Sequence, residues 1–153
     1  MRKLAYEDVY RLEECLRELA GHHNGVSVHF RGQYPKKPFA ETLASFREDV
    51  RSGRSEIGVV EEAGKIAGFC KADFDGVEGT VAYLIVRKEA RGKGYGDMLL
   101  EWAMDLLKQK GVSRTEVRVV DGNDAVGFYE KHGFRMCSHI LRYDNDQGGR
   151  DES

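Results

Sequence analysis

The chain has only three cysteines in 153 residues, Cys15, Cys70 and Cys137, and they lie far apart. No CxxC pair is present to build a metal knuckle, and an odd count does not make a disulfide framework, so a reduced, cytoplasmic setting fits better. Charge of one sign is lacking too. A third of the residues are charged (33%), yet the formal net charge is −2 and the pI about 6.2, so opposite charges are interspersed. A general nucleic-acid binder needs a basic face with exposed aromatics, and this balance argues against one. No uncharged stretch approaches the roughly 20 residues of a membrane span, and charge interrupts the start before an apolar run forms. The expectation is a soluble, unprocessed cytoplasmic protein with no membrane or nucleic-acid partner. His22, His23, His29, His132 and His139 show neither a shared helical face nor ligand spacing, so no metal is expected.

What is present suffices for one domain with a sizeable core and no staples. Val9, Leu12, Leu16 and Leu19 recur at helical spacing with charged residues between them, which predicts an amphipathic helix. A second is predicted after Pro38, with Phe39, Leu43, Phe46 and Val50 on one face and Gly53 near its stop. Residues 22–37 show no period and read as a loop, in which Tyr34-Pro35-Lys36-Lys37 either faces an acceptor or is simply solvated. Apolar runs at Ile57–Val60 and Ile66–Cys70 flank Glu62-Ala63-Gly64-Lys65 and predict a hairpin. A turn near Asp75-Gly76 leads into Thr80–Val86, apolar on both faces like a central strand. A helix from Gly96 to about Gly111, a strand over Thr115–Val120, a short helix stopping at Gly133 and a final strand over Ile140–Tyr143 complete the order. The predicted fold is α/β, a mixed sheet with one strong strand-loop-helix unit, spanning residues 1–143 as a single domain. A polar, disordered tail is expected over residues 144–153.

The strand-loop-helix unit carries the chemistry. Arg91-Gly92-Lys93-Gly94-Tyr95-Gly96 lies between a buried strand and an amphipathic helix. Small residues let the backbone approach a ligand, and the N–H groups and dipole of a helix N-terminus favour an anion, so phosphate is the natural guest. Neither the GxxxxGK(S/T) nor the GxGxxG spacing is met. The bland alternative is a tight turn, which does not need three alternating glycines beside Arg91 and Lys93.

The same residues resemble the GNAT acyltransferase signature of Gln or Arg, two residues, Gly, one residue, then Gly or Ala. Ala125 through Phe134, containing Tyr129-Glu130-Lys131-His132-Gly133-Phe134, resembles that family's second motif. The resemblance covers residues 57–143 and is coarse before that. It implies a GNAT-like, mostly antiparallel sheet flanked by helices, with splayed central strands that admit the pantetheine arm of acetyl-CoA. It also implies pantetheine contacts at Leu84, Ile85 and Val86, and a pyrophosphate site at Arg91, Gly92, Lys93, Gly94, Tyr95, Gly96 and Asp97. Phe128 joins the cofactor-binding set. By the same resemblance Tyr129 protonates the departing thiolate, the alternative being an aromatic core residue. A homodimer is implied as well.

Two positions depart from the pattern. The family's Asn would fall on Gly122, and Asn123 stands one residue later, either reaching the cofactor or capping the short helix. The family's general-base Glu would fall on Thr80. Glu78, two residues earlier and on the same face of an extended strand, is either a base acting through water or a solvated turn carboxylate. The expected function is acetyl-CoA-dependent N-acetylation of a primary amine in a ternary complex, with a CoA-binding module that has lost its chemistry as the alternative. The acceptor is not legible.

Overall fold

A computed structural model describes residues 1–27, 37–119, 125–143 and 145 of the chain. They divide into two compact units, Met1–Asn123 and Asp124–Ser153.

In the first unit, strand β1 (Arg2–Lys3) leads into a 3₁₀ helix at Tyr6–Leu12 and then helix α1 (Glu13–Val26). Val9, Leu12 and Leu16 are buried across this junction and Leu19 packs against the same core, as their period predicts. The loop expected from His22 begins later, because the helix continues to Val26. Gly25 costs about 1 kcal/mol against alanine in a helix, too little to stop elongation from an anchored face. Residues 28–36, with His29, Tyr34 and Pro35, lie outside the described residues. Helix α2 (Phe39–Arg51) starts directly after Pro38, whose φ of −57° suits helix entry and whose carbonyl accepts the Glu41 and Thr42 N–H groups.

Strands β2 (Ser55–Glu62) and β3 (Lys65–Asp75) form the expected hairpin, turning through Ala63 and Gly64 with positive φ at both, as a two-residue turn matched to strand twist requires. Strand β4 (Glu78–Val86) pairs antiparallel with β3, and β5 (Arg114–Val117) adds in parallel to β4. The sheet order is β1-β2-β3-β4-β5. A parallel neighbour needs a crossover, and α3 (Tyr95–Gln109) supplies it. Among the described residues β5 pairs as far as Val117; Val120, where the expected strand ends, lies outside them.

Leu12, Leu16, Leu43 and Phe46 from the helices meet Ile57, Val59, Phe69 and Ile85 from the sheet in one buried cluster. Each such side chain contributes roughly 1.5–3 kcal/mol relative to exposure, against the entropy of ordering the chain. Helix α3 buries Leu99, Leu100, Ala103 and Leu107 on the opposite face. It sits close because the strands beneath it carry glycine: a Cβ on Gly58 would lie 2.9 Å from Trp102, and one on Gly68 would lie 3.3 Å from Leu99 and 2.7 Å from the Ile85 carbonyl oxygen. The result is the mixed, mostly antiparallel sheet flanked by helices that the family resemblance implies, with β1 as an edge strand that the sequence does not predict. Among the described residues no helix is long and apolar enough to cross a membrane.

The second unit contains helix α4 (Val126–Lys131), which stops at Gly133 in a left-handed φ of +95°. The strand expected over Ile140–Tyr143 does not form: residues 134–143 have no regular structure, and Ile140, Leu141 and Tyr143 are exposed. An extended segment becomes a strand only when a ladder takes up its backbone groups, and none does so among the described residues. The tail expected over 144–153 falls outside the described residues, except for Asn145.

Candidate active site

The parallel ladder is short. It runs from Glu78 opposite Arg114 to Val81 opposite Val117, while β4 continues beside β3 to Val86. Directly after the last rung the β3 register shifts, since Lys71 faces Tyr83 whereas Ala72 faces Val81, and Ala82 is the extra residue. A bulge of this kind bends its strand and changes which face later side chains take. From Ala82 onward, through Leu84, Ile85 and Val86, β4 has no β5 partner among the described residues. Glu78, Thr80 and Tyr83, opposite Asp75, Asp73 and Lys71, share one face; Tyr83 there meets Phe46 of α2 with ring centroids 4.9 Å apart.

Past Val86 the chain makes a 3₁₀ turn at Lys88–Ala90 and reaches α3 through Arg91–Gly94. Gly92 and Gly94 both take φ +83°, a region that any Cβ makes costly, so these glycines determine the path of the loop. A Cβ at either would meet nothing within 4 Å, and the backbone is open to an approaching ligand. The Met98 N–H is the first returned to the helix, at 3.1 Å from the Gly94 carbonyl oxygen. The N–H groups of Tyr95 and Gly96 ahead of it have no acceptor within the helix. Asp97 stands in the same turn.

Cations flank these amides, and each is already held. Arg91 Nε donates to the Val86 carbonyl oxygen at 3.1 Å, and its guanidinium lies 3.5 Å from Glu18 of α1. Glu18 also accepts the Lys88 N–H at 2.5 Å. Lys93 Nζ donates to Glu62 Oε2 at 2.8 Å, and the Tyr95 hydroxyl donates to the same oxygen at 2.5 Å. The bonds from Lys93 and then Tyr95 hold the Glu62 carboxyl below its usual range, and Glu62 raises both partners in return. Open amides, two left-handed glycines and two cations fit an anionic, phosphate-bearing ligand.

Glu78 is at the other end of β4. It pairs with Arg114 and lines an open pocket of about 320 Å³ with Asp49, Arg54, Ser55, Asp73, Phe74, Asp75 and Thr80. It stands four positions before Ala82, roughly 13 Å along the strand. In the second unit Tyr129 is buried, with its ring 5.2 Å from that of Phe128 and 5.6 Å from that of Phe134. Its carbonyl oxygen accepts the His132 and Phe134 N–H groups at 3.0 and 3.1 Å, which closes the turn at Gly133. Asn123 lies outside the described residues. Burial pushes the Cys15 and Cys70 thiols up to about 12, so neither offers a thiolate near neutral pH.

The profile of the acetyltransferase (GNAT) family matches residues 12–134. The chain belongs to the GNAT acetyltransferase family. Over 84 residues it is 35% identical to an acetyltransferase of Yersinia enterocolitica, a stretch of 54% of this chain and 60% of that relative. The chain therefore matches only about three fifths of that relative's length. Among solved structures it is similar to glucosamine-6-phosphate N-acetyltransferase from Arabidopsis thaliana (TM-score 0.69, 25% identity, 95% of this chain and 97% of the other). It is also similar to the PaiA N-acetyltransferase of Thermoplasma acidophilum, solved with coenzyme A (TM-score 0.71, 23% identity, 91% of each chain). A transcriptional regulator from Bacillus halodurans shares the fold as well (TM-score 0.73, 20% identity, 94% of this chain and 97% of the other).

Of the residues expected for a GNAT site, the first unit brings Leu84–Val86 and Arg91–Asp97 into one continuous feature, a strand edge that runs into a helix N-terminus. Glu78 shares the strand but not that end. Sequence reasoning missed Glu18 and Glu62, the carboxylates that hold the loop cations. They stand 73 and 31 residues from Arg91 and Lys93, and no local spacing signals either contact.

Proposed function

We propose that the chain is an acetyl-CoA-dependent N-acetyltransferase that transfers an acetyl group to a primary amine within a ternary complex. The observation that carries this reading is the course of β4, which past Ala82 has no β5 partner among the described residues and runs on through the Gly92–Gly94 loop to the N-terminus of α3, an anion site at the end of a strand edge that would align an extended arm. Bound there, acetyl-CoA supplies an activated thioester, and a neutral amine attacks its carbonyl carbon so that a C–N bond forms as the C–S bond breaks. Leu84, Ile85 and Val86 align the arm, while Arg91, Lys93 and the Gly94–Gly96 backbone hold the pyrophosphate, so that orientation supplies much of the acceleration. Tyr129 gives its hydroxyl proton to the departing sulfur. Glu78 takes up the proton lost by the amine through water along the face it shares with Thr80. No reactive thiolate is available at Cys15 or Cys70 to form an acyl-enzyme, which favours direct transfer.

The pairing of Glu78 with Arg114, at the end of β4 away from the glycine loop, favours a second reading: a module that binds CoA without turnover. A thiol-release assay with acetyl-CoA and a library of primary amines separates the two. Thiol release that depends on an amine supports the transferase. A rise in Tm with CoA but no release with any amine supports the module, and no rise in Tm removes both.

A further inference from the structure

Lys93, the loop cation nearest the helix N-terminus, is not idle in the unliganded chain. Its ammonium sits 2.8 Å from Glu62 Oε2, and the Tyr95 hydroxyl donates to that same oxygen, so one carboxylate oxygen holds two groups of the loop. Glu62 is the last residue of β2, contributed by the tip of the hairpin rather than by the loop. We infer that Glu62 competes with the phosphates of the ligand for Lys93, and that this carboxylate sets how tightly a phosphate-bearing cofactor is held. The inference rests on the CoA-binding reading above.

Two effects of Glu62 oppose each other, and the contacts decide between them. As a clamp it would help binding by fixing the loop; as a negative charge beside an anion site it hinders binding and occupies a cation. The loop does not depend on it for shape. Gly92 and Gly94 determine the backbone path, Arg91 Nε ties the loop to the Val86 carbonyl, and Glu18 accepts the Lys88 N–H. Removing the charge at Glu62 therefore leaves these restraints in place and frees Lys93. The Lys93 and Glu62 side chains are 49% and 33% exposed, so water screens the pair and the effect is modest. Glu18 is the weaker competitor, because it stands 3.5 Å from Arg91 while also binding a backbone N–H.

Glu62→Gln tests this, since the amide keeps the size and an acceptor for Tyr95 while losing the charge. Calorimetric titration of the full chain with CoA at low salt should show the Kd falling about threefold to fivefold, with the gain shrinking as salt is raised. Acetyl-pantetheine, which has no phosphate, should bind both proteins equally. In a Lys93→Ala background the gain from Glu62→Gln should be reduced, as a double-mutant cycle requires for coupled residues. An unchanged or weaker CoA affinity in Glu62→Gln, with an intact melting transition, overturns the inference while leaving CoA binding standing. An equal gain for acetyl-pantetheine overturns it too, because the effect would not pass through phosphate. Failure of the unsubstituted chain to bind CoA at all removes the CoA reading, and the inference with it.

Discussion

Val81 faces Val117 on the last rung of the parallel ladder, and the next residue of β4, Ala82, is the bulge. Loss of β5 pairing and change of register therefore coincide at one bend in β4. Beyond the bend Tyr83 packs against both Phe46 and Phe69, with ring centroids 4.9 and 6.2 Å away, in a cluster of three rings that holds this half of β4 against β3. From there β4 leads to Gly92 and Gly94.

Gly94→Ala should cost stability and cofactor binding together. Alanine at φ +83° carries about 1–2 kcal/mol of backbone strain, and with nothing within 4 Å of the new Cβ the cost is conformational rather than steric. Gly53, at φ +82° after α2 and equally open, is the control. Urea unfolding should show similar losses for the two variants, and CoA titration should show weakened binding only for Gly94→Ala. Equal CoA affinity in both would move the phosphate site elsewhere.

Tyr129→Phe keeps the ring against Phe128 and Phe134 and deletes the hydroxyl. If that hydroxyl protonates the leaving sulfur, kcat should fall by ~10²-fold or more while CoA affinity changes little. Turnover within about twofold of the parent, with chemistry limiting, would make Tyr129 a packing residue.

Glu78→Gln removes the proposed base and its ion pair with Arg114 together. The rate at neutral pH should drop and recover at high pH, where more of the amine arrives deprotonated. Arg114→Gln separates the two roles, because it breaks the ion pair and keeps the carboxylate. A pH profile of Glu78→Gln that matches the parent at every pH returns Glu78 to a surface role.

Lys71 is 3% exposed, yet it bonds to Asp49 at 3.0 Å and Asp73 at 2.7 Å, and it lies 5.0 Å from the centroid of the Phe46 ring. Lys71→Met should cost about 2–4 kcal/mol at pH 7, since it leaves Asp73 with the Ser55 hydroxyl and no cation and Asp49 with Arg54 alone. Burial alone would raise the Asp49 carboxyl, but Lys71 and Arg54 outweigh it and hold it below the usual range. Its contribution is complete above the unfolded value near 3.9 and is lost as pH falls through the lower folded one. Urea titrations should therefore show the gap between parent and variant narrowing from pH 7 to pH 3. A constant gap would mean that Lys71 acts through packing alone.

The elements whose stabilising contacts are local were legible from residues in a row. The periods of α2 and α3, the hairpin at Ala63-Gly64 and the alternating glycines of the Arg91–Gly96 loop each lie within a short window, and that loop with the Tyr129 motif also carried the family resemblance. Features that depend on a partner distant in sequence were not legible. Val26 as the end of α1, Val117 as the end of β5 and the lack of regular structure over Ile140–Tyr143 depend on which backbone groups find neighbours. The bulge at Ala82 arises only when β4 must match β3 on one side and β5 on the other. Glu62 and Glu18 meet the loop cations because the hairpin and α1 are folded against α3 and β4, a proximity that no spacing along the chain encodes.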